Sequence, residues 1–401
     1  MTYSARTLSL GLGFLALGVF PSALRMIFAG NSIRNGIIMG MVIFFVLAIP
    51  FGVRYFITSK IILVNLVLLL GIFCFYLIST IFYIGTDDGR FIGSVMLLLT
   101  TSFMSAVFVA TLDTLKSDAF HKIILIGSHF LIFLGYLIVV LNVTSIRSSR
   151  NMFIFNEPSH YAICLVPFLF YAAYTSKRER NVILYILSGV GFALILKSLT
   201  LLVGCLMIIF LCYGQRLLKL FFLITVAAAM AIFLDLDYFS QRLNMSTDNN
   251  NLSTLVFLSG WERAYLSFTE TYGFGLGFNQ LGIVGPQGEL QPLIQTLTDG
   301  VSRLNVRDGG STGSKLIAET GLLGLVLLMF YFFSSINILK QLIKRRLKSF
   351  KDIFFCGVFL IFSIELFVRG MGYFSILSFL FLSSIYWIYR NKILMRRSID
   401  C

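Results

Sequence analysis

Charged residues are scarce in this 401-residue chain, and several of them fall in patterns that could do chemistry. Arg147 and Arg150 open the segment Arg147-Ser-Ser-Arg150-Asn-Met-Phe-Ile-Phe-Asn-Glu157-Pro-Ser-His160. Arg263 stands in an amphipathic stretch, Arg303 and Arg307 are one helical turn apart, and Arg369 closes a long apolar run. A guanidinium is a planar fork that binds two oxygens at once, so such a set suits a phosphate or diphosphate. The competing reading is that these arginines snorkel, or neutralise lipid headgroups. Glu157 and His160, three apart and flanking Pro158, would share one face at a helix start. Either could serve as a general base towards a hydroxyl. Alternatively, Glu157 is an N-terminal charge favourable to the helix dipole. Glu319 and Glu365 lie inside apolar runs, where ionisable groups are costly and often functional. Lys315 and Glu319, at i,i+4, could equally pair with each other.

The elements that must position these residues are membrane helices. Hydrophobic residues make up 58% of the chain and charged residues 12%, against roughly 25% charge in a soluble domain. Runs such as 61–84 and 91–112 reach the roughly 20 apolar residues that a spanning helix needs. The hydropathy pattern predicts an all-α integral membrane protein with about twelve spans: 8–28, 35–53, 61–84, 91–112, 123–143, 159–175, 181–196, 198–213, 217–236, 315–338, 352–368 and 371–389. The seventh and eighth are short and nearly continuous, so counts of ten or eleven also fit. No cleavable signal peptide is expected, since the first apolar run, from Leu8, lacks a small-residue cleavage site leading into a soluble domain.

With the N-terminus on the cytoplasmic side, 20 of the 32 basic residues fall in cytoplasmic segments. Among short loops the division is 20 against 7, which places both termini in the cytoplasm. The chain then divides into spans one to nine (1–236), a large outward loop (237–314), and spans ten to twelve with the C-terminus (315–401). In the loop, Trp261, Tyr265, Phe268 and Tyr272 form one helical stripe and Arg263, Ser267 and Glu270 another, as in a helix lying on a membrane surface. Gly273-Phe-Gly-Leu-Gly277 follows as a flexible turn.

The same residues exclude several classes. The net charge of +14 is the usual cytoplasmic excess of a membrane protein and does not point to nucleic acid. Cys74, Cys164, Cys205, Cys212, Cys356 and Cys401 show neither metal spacing nor a disulfide framework. His121, His129 and His160 are too scattered to form a metal site, and no cofactor motif is found. The glycines at 273–277 follow no strand, which argues against dinucleotide binding, and there is no P-loop, HExxH or CxxC.

Three segments resemble bacterial oligosaccharide repeat-unit polymerases, within the O-antigen polymerase and ligase superfamily. They are Phe155-Asn-Glu-Pro-Ser-His-Tyr-Ala162, Gly260-Trp-Glu-Arg263 followed by Tyr272-Gly-Phe-Gly-Leu-Gly277, and Ser314-Lys-Leu-Ile-Ala-Glu319-Thr-Gly-Leu-Leu-Gly324. The resemblance implies a GT-C-like glycosyltransferase of the bacterial inner membrane. Such an enzyme moves a glycan from one undecaprenyl-diphosphate-linked oligosaccharide to another at the periplasmic face, without metal or cofactor. Glu157 and His160 would be catalytic, and Arg147, Arg150, Arg263, Arg303, Arg307, Glu319 and Arg369 would bind diphosphate or glycan. Membrane lipids are the other implied partners, with a chain-length regulator protein as a further candidate. Related ligases carry a His in the large loop or just before the next helix. Residues 237–314 contain none, which favours polymerase over ligase. A lipid-linked oligosaccharide flippase is the remaining alternative, though the two similar halves common in transporters are not visible.

Overall fold

The structure, a computed structural model, describes residues 33–48, 59–83, 85–144, 152–214, 251–298 and 306–391, besides positions 9, 11–13 and 21. Among these residues the architecture is all-α. The helices are α1 (Ile33–Ala48), α2 (Ser59–Phe82), α3 (Asp88–Asp113), α4 (Ser117–Thr144), α5 (Pro158–Thr175), α6 (Glu179–Ile195), α7 (Leu199–Tyr213), α8 (Leu252–Glu270), α9 (Leu290–Leu297), α10 (Thr312–Ile343), α11 (Phe350–Phe367) and α12 (Ile376–Arg390). Each predicted span that falls on described residues is a helix. The span predicted over 217–236, and nearly all of that over 8–28, lie outside them. Among the described residues, three helices are long and apolar enough to cross a membrane: Asp88–Asp113, Ser117–Asn142 and Thr312–Ile343. Shorter apolar helices include Leu199–Tyr213 and Ile376–Arg390.

Two helices form the centre. Helix α5 is buried from Tyr161 to Tyr174, and α11 is buried over nearly its whole length. A helix that is apolar on every face has to be enclosed by others, and α4, α7, α10 and α12 surround this pair. Aromatic rings fill the seams: Phe120, Tyr171 and Phe354 meet edge to face, and Phe362 stacks on Phe381 at 3.9 Å. The boundary between α6 and α7 is a helix end closed by backbone bonds, from Lys197 N to Leu194 O (3.2 Å) and from Ser198 N to Ala193 O (2.8 Å). These satisfy carbonyls that the helix end leaves orphaned, and the Ser198 side chain caps α7 through Leu201 N.

One end of the bundle carries Asp113, Lys177, Arg345, Lys351 and Arg390. Here Arg390 pairs with Asp113 at 2.7 Å, and Lys351 donates to the Asp113 and Leu115 carbonyls at 2.9 and 2.8 Å. The loop helices α8 and α9 lie at the other end. Helix α8 packs on α10, and α9 on α8.

Candidate functional site

The loop end is built around a break in α10. Gly321 sits inside that helix with φ 53 and ψ −124, outside helical values. The break frees backbone groups, and the glycine turn 273–277 supplies partners for them. Leu276 N donates to Ala318 O (2.9 Å), Gly277 N to Glu319 O (2.9 Å), and Leu322 N to Gly273 O (2.7 Å). Only glycine permits this approach. A Cβ on Gly321 would lie 1.9 Å from Gly273 O, and one on Gly275 would lie 2.6 Å from the Glu319 carbonyl. The turn expected to be flexible is therefore clamped against α10.

Side chains complete the clamp. Glu319, fully buried at 0% exposure, accepts from Asn279 N (2.8 Å) and Leu281 N (3.0 Å). Lys315 Nζ lies 3.4 Å from its carboxylate, the i,i+4 pair that the spacing allows. Lys315 also donates to Asn279 Oδ1 (3.1 Å) and to the Arg307 carbonyl, and it faces the Tyr373 ring at 5.2 Å. Asn279 is the hub, receiving Arg90 Nη2 at 3.2 Å and donating to Ser94. Gln280 exchanges two bonds with the Asp87 backbone, at 2.9 and 3.0 Å. The loop is thus pinned to α3 as well as to α10.

Helix α8 buries a mixed face, with Leu255, Val256 and Ala264 beside small and polar residues. Its small and polar stripe, Ser259, Gly260, Arg263 and Ser267, is buried. Tyr265 (68%) and, just past the helix, Tyr272 (84%) are exposed. Arg263, only 3% exposed, donates to Pro286 O (3.3 Å) and Val306 O (2.7 Å). Burial pulls its guanidinium below the ordinary value, against the opposing charges of Glu319 and Glu262. Glu262 caps α9, accepting from Glu289 N (2.7 Å) and Leu290 N (3.2 Å). Arg263 and Glu319, two of the expected substrate-binding residues, are buried and bonded to the loop backbone.

At the rim the arrangement changes. Arg369, past the end of α11, reaches Glu157 at the start of α5: Nη2 to Oε2 is 3.0 Å. Ser159 donates to the same oxygen at 3.0 Å. The Glu157 side chain is 50% exposed and that of Arg369 19%, so the pair is accessible from outside. Burial alone would raise the Glu157 carboxyl. The charges of Arg369 and His160, with the bonds from Ser159 and Arg369, outweigh it and hold the carboxyl below its usual value. No known protein family, curated protein or solved structure matches the chain.

Two further candidates, His160 and Arg307, lie on segments joined to this rim. His160 lies on the first turn of α5, three residues beyond Glu157. Gly370 N donates to Gly310 O at 3.0 Å and Thr312 Oγ1 to Gly372 O at 3.3 Å, which joins the segment after Arg369 to the segment after Arg307. Arg307 itself is exposed. Arg147, Arg150 and Arg303 lie outside the described residues. Glu365 is buried and accepts from Ser375 Oγ at 2.6 Å, at the start of α12. Among the described residues no group of three or more His, Cys, Asp or Glu side chains is placed to hold a metal. Asn279, Gln280 and Lys315 were not anticipated as organisers of the loop. The Asn-Gln dipeptide after a glycine run was the available signal, since Asn tolerates the left-handed φ of 59° seen at Asn279.

Proposed function

We propose that the chain is a glycosyltransferase of the bacterial inner membrane that joins lipid-diphosphate-linked oligosaccharide repeat units at the outward face. In this reading it has about twelve spans, with both termini cytoplasmic. The observation that carries the proposal is the half-exposed Glu157 paired with Arg369, which joins the start of α5 to the end of α11; the exposed Arg307 lies three residues before Gly310, whose carbonyl accepts from Gly370. In the transfer, an acceptor hydroxyl attacks the donor sugar's anomeric carbon as the bond to the diphosphate oxygen breaks. The leaving lipid diphosphate gathers negative charge, and Arg369 and Arg307 stabilise it. The hydroxyl proton passes to a nearby base. Glu157, held ionised, orients Arg369 and the incoming hydroxyl, and His160 is the better-placed proton acceptor near neutral pH.

The test is purified protein with a lipid-diphosphate-linked repeat unit and no nucleotide sugar. A ladder of polymer is expected, reduced by roughly one to two decades in Arg369→Ala, the loss of one charge-assisted contact. The absence of a ladder from well-folded protein, or a normal ladder from Arg369→Ala, would overturn the reading.

A further inference from the structure

The end of the bundle opposite the candidate site holds a pocket of about 350 Å³ between α5, α6, α7 and α10. This volume lies in the range of small-ligand sites. Ser176, Lys177 and Glu179, from the turn between α5 and α6, form one wall; Tyr213 and Arg345 face it. Leu211 and Ile343 make the lining partly apolar.

Arg345 is the residue that distinguishes this pocket. Helix α10 ends with Arg345 N bonded to Leu342 O (2.9 Å) and Arg346 N bonded to Gln341 O (3.0 Å). This closure puts the residue after the cap in the left-handed region, normally the place of a glycine. Arg345 occupies it at φ 49. Its side chain is fixed as well: the guanidinium sits 5.3 Å over the Tyr174 ring, and Nη2 lies 3.5 Å from Cys212 O. Tyr174 is itself anchored, donating to Leu342 O at 2.6 Å. A strained backbone that carries a pre-positioned cation is an arrangement associated with binding sites. Lys177 and Arg345 are both exposed, so neither charge is consumed by burial. At the start of α6, Glu179 in the first turn opposes these cations and the helix N-terminus, so the net charge of the wall rests on Lys177 and Arg345.

We propose that this pocket binds a phosphate-bearing anion at the membrane edge, with Arg345 and Lys177 as its cations. An anionic phospholipid headgroup is the source, its chains following the apolar side of the lining. The site is separate from the glycosyl-transfer proposal and stands or falls without it.

The test uses the full chain in phosphatidylcholine nanodiscs, with either phosphatidylglycerol in the bilayer or inorganic phosphate in the buffer. Retained lipid is read by native mass spectrometry and stability by Tm. Phosphatidylglycerol should be retained and should raise Tm. Arg345→Gly suits the left-handed backbone, so it should melt no lower than the parent in phosphatidylcholine alone. It should nevertheless bind phosphatidylglycerol roughly one to two decades more weakly. Lys177→Ala should weaken binding in the same direction, and Glu179→Gln, which removes the one acidic side chain of the wall, should tighten it. If inorganic phosphate alone gives a gain that Arg345→Gly abolishes, the anion site holds and its source is a soluble phosphate. Retention of phosphatidylglycerol by Arg345→Gly and Lys177→Ala equal to the parent would overturn the proposal, as would a parent that neither retains lipid nor responds to phosphate.

Discussion

The clamped loop and the rim above it use the same residue types in opposite ways. In the clamp, Lys315, Glu319 and Arg263 are buried, and each bonds to the loop backbone. At the rim, Glu157 and Arg369 make one ion pair, and half of the Glu157 side chain stays open while Arg369 is mostly covered. A buried charge without partners is costly, so every member of the clamp is tied to several others. An exposed pair adds little stability, usually about 0–1 kcal/mol. The charges that hold the fold and the charges left accessible at the rim are therefore different sets.

This contrast can be broken most strongly at Glu319. Glu319→Ala leaves Lys315 charged and unpaired in a buried position, and it orphans the N–H groups of Asn279 and Leu281. A loss of about 3–5 kcal/mol is expected, seen as a lower Tm and rapid proteolysis of the loop. A stable, protease-resistant variant would show that the clamp does not organise the loop. Gly321→Ala comes next: its Cβ would meet Gly273 O at 1.9 Å, at a φ that L-residues resist. A cost of about 2–4 kcal/mol is expected, measured by the same melting curves.

The rim variants should do the reverse. Arg369→Ala and Glu157→Gln should change stability by no more than about 1 kcal/mol while reducing polymer formation. The exchange Glu157→Arg with Arg369→Glu restores an ion pair but inverts its geometry. If that double variant polymerises normally, the pair matters only as a strut. The smallest effect expected is on pH dependence. Because the folded Glu157 carboxyl is held below its ordinary value, the pair persists above the unfolded value and is lost only as pH falls through the depressed folded one. Arg369→Ala removes the largest lowering influence, so the acid limb of the rate should move to higher pH. A pH–rate profile identical to the parent's would argue that Glu157 takes no part.

How much of this was legible in the sequence depends on contact distance along the chain. The helices were readable because hydropathy is local. The Lys315–Glu319 pair was readable because i,i+4 neighbours must meet on a helix. The Glu157–Arg369 contact spans 212 positions, and nothing in either neighbourhood names the other. Helix α8 shows a subtler limit. Its two stripes were visible, but which one faces inward depends on distant segments: the Pro286 and Val306 carbonyls take the Arg263 guanidinium, and Gly309 O leaves no room for a side chain at Gly260. Likewise Gly273 to Gly277 looked like slack, because a glycine run reads the same whether it is loose or pressed against another backbone.

The break at Gly321 also bears on how the chain is assembled. The turn that fills the gap in α10 precedes it in sequence, so it is made first and is waiting when the helix emerges. Helix α10 is in this sense finished by an earlier part of the chain, as a splint is set before the bone is laid on it. Removing residues 273–281 would therefore leave the Leu322 N–H and the buried Ala318 and Glu319 carbonyls without partners, a costly state. The loop turn belongs to the helical core of this protein as much as any of its helices.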